Sequence, residues 1–101
     1  MTTGRLPTVS RKEALILDLL TAGSDRYGLE LVEASEGRLK RGTVYVTLSR
    51  MEDKGYVTSM QEERPSGAIG LPRRLYRLTV RGRRAREAWA FVSKKLAWEN
   101  A

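Results

Sequence analysis

Two carboxylate pairs, Glu52-Asp53 and Glu62-Glu63, are the residues whose type would suit general acid–base work. Such work needs two carboxyls in unlike environments, so that one keeps its proton while the other loses it. Neither pair has a pocket-forming context, and both read as solvated surface. Composition removes most other catalytic templates. The chain of 101 residues contains no cysteine and no histidine. That excludes a thiolate nucleophile, a disulfide framework and a cysteine zinc site, together with the commonest general base and metal ligand. We therefore expect no catalytic residue, no metal and no cofactor.

What remains is positive charge. Lys+Arg is 19 against Asp+Glu 12, a formal net charge of +7 and a pI near 10.2. An excess of this size points to an anionic partner. The densest stretch runs from Arg73 to Arg86 and holds Arg73, Arg74, Arg77, Arg81, Arg83, Arg84 and Arg86. Arg73 and Arg74 are candidates for phosphate contact, with Arg64 in the loop before them. Arg83, Arg84 and Arg86 read as surface residues of a terminal helix. A second group spans Arg41, Thr43, Tyr45, Val46, Thr47 and Arg50. Hydroxyls and a helix start at Thr43 and Tyr45 suit phosphates, although Tyr45 can equally pack at the edge of a core. Arg50 can bond guanine bidentately, Val46 can touch a thymine methyl, and Thr47 can reach a base edge. The competing reading of Arg50 is an i,i+3 pair with Asp53 on a solvated face.

These groups must be held by ordered elements. Met1–Val9 shows no periodicity and reads as a mobile arm with one basic residue, Arg5. Ser10-Arg11-Lys12-Glu13 matches a capping box and opens a helix that Gly23 ends. Its apolar residues Ala14, Leu15, Ile16, Leu17, Leu19 and Leu20 point all round, so a partner chain is expected to cover one face. A second helix is expected over Tyr27–Glu36, after a cap at Ser24 or Asp25, with Gly37 as its end. Leu39–Arg41 reads as a short basic link. A third helix is expected from Thr43 to Lys54, ended by Gly55, with Val44, Leu48 and Met51 on one face. Val46, Ser49, Arg50 and Asp53 lie on the opposite face. Three short helices in series give a helix-turn-helix arrangement. Tyr56–Gln61 and Arg73–Leu78 read as strands around a Gly/Pro loop, Glu62–Pro72, which makes a β-hairpin wing. Thr79 caps a last helix reaching Glu99, ~30 Å long at ~1.5 Å per residue. One of its apolar stripes is Ala85, Ala88, Trp89, Val92 and Leu96. Phe91 and Trp98 form another. No apolar run reaches the ~18 residues of a membrane helix, and the N-terminus lacks the apolar core of a signal peptide. A cytoplasmic location is expected.

Three segments together resemble the PadR-like winged-helix transcriptional regulators. They are Tyr27-Gly28-Leu29-Glu30-Leu31, the run Arg41-Gly42-Thr43-Val44-Tyr45 continuing to Gly55-Tyr56-Val57, and Pro72-Arg73-Arg74-Leu75-Tyr76-Arg77-Leu78-Thr79 followed by Gly82. The resemblance covers most of Ala14–Ala88. Two positions depart from it: Val46 stands where the family usually has proline, and Leu71 where it usually has a basic residue.

The resemblance implies a mainly α, α+β winged helix-turn-helix, so that the mobile arm (1–9) is followed by a DNA-binding unit (10–79) and a C-terminal dimerisation helix (80–101). It implies a homodimeric repressor on double-stranded DNA. The third helix would lie in the major groove of an inverted-repeat operator, with the wing on phosphates. Trp89, Val92 and Leu96 would form the dimer interface, and a small aromatic effector there is a further possibility. The alternatives are a MarR-like regulator, which usually carries additional flanking helices, and a winged helix used as a protein-interaction module.

Overall fold

The computed structural model describes residues 8–63, 67, 70 and 72–99, the last five of these as backbone only. Arg5, Arg64 and Leu71, and the side chains of Leu96 and Trp98, lie outside the described residues.

The first helix, α1, is Arg11–Ala22. Its capping box forms as the sequence predicts: the Glu13 N–H donates to Ser10 Oγ at 3.2 Å, and the Ser10 N–H donates to Glu13 Oε1 at 2.9 Å. At the other end the Gly23 N–H closes on the Leu19 carbonyl. Ile16, Leu17 and Leu20 are buried, and Leu15 and Leu19 pack against the same core. The apolar surface around α1 is therefore largely covered from within the chain, by α4, α3 and β3 as defined below. The expectation that α1 requires a partner chain is corrected accordingly.

Between α1 and α2 (Gly28–Ala34) the sequence predicts only a cap. The structure instead places a two-residue strand, β1, Arg26–Tyr27. This short strand lacks any periodicity of its own and exists because an edge is available to pair with. The Tyr27 N–H donates to Glu30 Oε1 at 2.7 Å, which caps α2. After α2 the buried Ser35 hydroxyl donates to the Val32 carbonyl and accepts from the Leu39 N–H. That turn carries Leu39 into the core, so the link is not merely basic.

Helix α3 is Arg41–Asp53, beginning two residues earlier than its sequence signals suggest. Val44, Leu48 and Met51 are buried along one face, as predicted. The helix closes through two bonds, Tyr56 N–H to the Met51 carbonyl and Gly55 N–H to the Glu52 carbonyl. Gly55 takes φ +81°, the left-handed geometry that this double closure needs and that glycine adopts without a Cβ penalty.

Strands β2 (Val57–Gln61) and β3 (Arg74–Leu78) form the wing. They pair antiparallel with Val57 opposite Leu78 and Gln61 opposite Arg74. β1 adds to the other side of β3, giving the order β1-β3-β2. Helix α4 is Val80–Glu99. Thr79 starts it: its Oγ1 accepts from the Gly82 N–H at 2.9 Å and donates to the Gly55 carbonyl at 2.6 Å. Ala85 on α4 is buried in the common core, while Phe91 and Val92 remain exposed. No helix among the described residues is long and apolar enough to cross a membrane.

Candidate nucleic-acid interface

The fold turns α3 so that one face is sealed and the other open. Val44, Leu48 and Met51 anchor it to the core, leaving Tyr45 46% and Val46 58% exposed. Tyr45, Val46, Ser49, Arg50 and Asp53 line a shallow concavity along the outer face. Tyr45 lies across Gly28 at the start of α2, where an added Cβ would stand 2.5 Å from the ring. Glycine at 28 thus lets the phenol rest against the second helix while its rim faces solvent.

Thr47 does not join this face. It is 6% exposed, and its hydroxyl donates to the Thr43 carbonyl at 3.0 Å. The base-reading role expected of Thr47 is corrected: the residue is turned into the protein, and its hydroxyl is already used. Ser49, named in the sequence only as part of the outer face, takes that place. Its signal is its spacing, four residues after Tyr45 and three after Val46.

Arg50 forms no ion pair among the described residues, Asp53 included, although the two stand three positions apart on α3. Arg41 and Thr43 are exposed at the first turn of α3, and Arg41 is likewise without an ion pair among the described residues. The Thr43 hydroxyl makes only a long bond, 3.4 Å, to the Lys40 carbonyl.

The wing arginines are differently placed. Arg73 grips Glu62 with two bonds, Nη2 to Oε1 at 2.8 Å and Nε to Oε2 at 3.2 Å. Its guanidinium carbon lies 4.0 Å from the Tyr27 ring centre. The hydrogen bond from Arg73 is the main reason that the Glu62 carboxyl is held at about 2, well below the ordinary carboxylate range; the Arg73 charge and the Tyr27 hydroxyl add to it, and partial desolvation opposes it. Arg73, expected on phosphate, is thus engaged by a carboxylate in the free protein. Arg74 donates Nε to Ser59 Oγ at 3.1 Å, and that hydroxyl in turn donates to Glu52. Arg77 pairs with Asp25, and Arg86 with Asp18, each at 2.8 Å. Glu62 and Tyr27 escape sequence reasoning because their partner is Arg73, across the hairpin and across the sheet.

A helix-turn-helix with an open polar face on its third helix, followed by a basic antiparallel wing, defines a winged-helix DNA-binding protein. The chain belongs to the transcriptional regulator PadR-like family, which its residues 16–88 match. Members of this family are regulators and not enzymes. Among solved structures, a PadR family transcription regulator from hypervirulent Clostridium difficile R20291 is 30% identical, with 87% of this chain and 96% of that one covered and a TM-score of 0.65. A transcriptional regulator from Clostridium thermocellum is 28% identical over 83% of this chain and 87% of that one, with a TM-score of 0.61. A PadR family transcriptional regulator from Eggerthella lenta DSM 2243 is 27% identical over 86% and 81%, with a TM-score of 0.62. No curated protein shows significant similarity to the chain.

Proposed function

We propose that the protein is a dimeric cytoplasmic repressor that reads an inverted-repeat operator with α3. The observation that carries this reading is the open face of α3, where Arg50, without an ion pair among the described residues, stands beside Tyr45, Val46 and Ser49. Arg50 is assigned to a guanine edge and Val46 to a thymine methyl. Arg41, Thr43 and Tyr45 are assigned to phosphates at the helix start, and Arg74 to the backbone beside the wing. Arg64, outside the described residues, is the remaining phosphate candidate.

Dimerisation is supported by α4. Phe91 is 68% and Val92 43% exposed, and Trp89, three residues before Val92 on the same face, is half-buried. These residues offer apolar surface to a second α4. A planar aromatic effector held at Trp89 and Val92 would quench tryptophan emission and weaken DNA binding together.

The test is footprinting on the DNA just upstream of the protein's own gene. A two-fold dimer places its α3 helices about 10 base pairs apart in inverted half-sites. Arg50→Ala should cost about 1–3 kcal/mol on that site and much less on random DNA. Arg74→Ala should weaken binding to every sequence alike. Protection without inverted symmetry overturns the dimeric arrangement, and equal losses on both DNAs overturn the role of Arg50.

A further inference from the structure

The wing carries two adjacent arginines in opposite electrostatic states. Arg74 spends one N–H on the neutral Ser59 hydroxyl. Arg73 is engaged by an anion. Its backbone carbonyl accepts the Glu62 N–H at 2.8 Å, so the hairpin itself brings the two side chains face to face. The guanidinium then meets both carboxylate oxygens, at 2.8 Å and 3.2 Å. Tyr27, from β1, supports the pair from the side: its ring lies against the guanidinium and its hydroxyl donates to Glu62 Oε1 at 3.2 Å. Two oxygens in the fork of an arginine is also how a phosphate is held. The Arg73 side chain is 59% exposed and that of Glu62 17%, so the arginine is within reach of solvent and of a duplex.

We propose that Glu62 acts as an intramolecular phosphate mimic that sets specificity: by occupying Arg73 it withholds one sequence-independent contact from DNA. The inference rests on the DNA-binding reading above. Every phosphate contact strengthens binding to operator and to random sequence alike, and random sites vastly outnumber operators. Withholding a contact therefore leaves more of the discrimination to α3. Glu62, on a wing rich in arginine, has its function in this balance.

The test measures binding of the full chain to a random-sequence duplex across a salt series. The variants are Glu62→Gln, Arg73→Ala and the double substitution. Freed from its carboxylate, Arg73 should steepen the Glu62→Gln slope of log K against log salt by about 0.9 per bound chain, which at ~0.15 M salt is roughly a five-fold gain in random-DNA affinity. Arg73→Ala alone should leave the wild-type slope unchanged, and the double variant should return to it. An unchanged slope in Glu62→Gln overturns the inference and leaves the DNA-binding reading standing. So does a slope in Arg73→Ala shallower by about 0.9, because it places Arg73 on phosphate in the native protein; this arm holds even if Glu62→Gln does not fold. Absence of salt-dependent duplex binding by the wild type overturns both.

Discussion

Single residues decide what the wing and the helix joints tolerate. Glu62 titrates at about 2 in the folded chain against an ordinary 4.5, chiefly because Arg73 hydrogen-bonds its charged form. A folded value below the unfolded one stabilises above the ordinary carboxylate range, and that stabilisation is lost as pH falls through about 2. The urea midpoints of wild type and Glu62→Gln should thus differ by a constant amount near neutral pH and converge as pH falls from about 4.5 toward 2. A difference that persists in acid contradicts the pairing. Two glycines give a second contrast. A methyl on Gly82 would overlap the Tyr56 carbonyl, a backbone atom fixed by the turn after α3. Gly82→Ala should cost about 2 kcal/mol or more in denaturant unfolding. The three atoms nearest to a methyl on Gly28 all belong to the Tyr45 side chain, which can swing into solvent. Gly28→Ala should therefore cost less stability than Gly82→Ala while weakening DNA binding, since it displaces a residue of the α3 face.

At the scale of elements, one ion pair fixes how α3 leaves the core. Lys54, the residue that ends α3, reaches both carboxylate oxygens of Glu13 on α1 at 2.9 and 3.0 Å, and the Thr8 carbonyl at 3.0 Å. Glu13 is fully buried and also caps its own helix. Removing the ammonium strands a buried carboxylate, so Lys54→Met should destabilise by about 2–4 kcal/mol in urea titration. Adding Glu13→Gln should recover part of that loss, because the uncompensated charge is then gone. Failure of the second substitution to recover any stability contradicts this account. The same clamp ties the C-terminal end of α3 to the first helix, so the placement of α3 is set by the core rather than by its own modest amphipathicity.

For the whole molecule, the distribution of charge matters more than its total. The net charge of +7 is not spread evenly over available arginines. Arg73, Arg77 and Arg86 are paired with Glu62, Asp25 and Asp18. Arg50 and Arg41, by contrast, carry no ion pair among the described residues. Those two guanidiniums are thereby left open on α3, with the Asp53 carboxylate on the same face as Arg50. On α4, Phe91 and Val92 are exposed apolar residues. If that surface is the dimer seam, Trp89→Glu with Val92→Glu should convert the dimer to monomers in light scattering, because an unpaired charge cannot be buried cheaply. A wild-type protein that is monomeric at micromolar concentrations contradicts the dimer.

The sequence by itself determined the features whose cause lies within a few residues. The Ser10–Glu13 box, the Gly23 and Gly55 helix ends, the Thr79 cap and the buried face at Val44, Leu48 and Met51 follow from capping geometry, left-handed turns and helical period. Together they sufficed for the winged-helix order and for most of the candidate face. Tertiary structure decided what depends on distant partners. Arg26 and Tyr27 become a strand because β3 offers an edge. Leu39 enters the core because Ser35 turns the chain there, and Thr47 is lost from the face because α3 packs with it inward. Which arginines remain without an ion pair is settled by carboxylates far along the chain, 52 residues away for Arg77 and 68 for Arg86. A charge in sequence is only a count; its availability to DNA is fixed once folding has brought every opposite charge to its place.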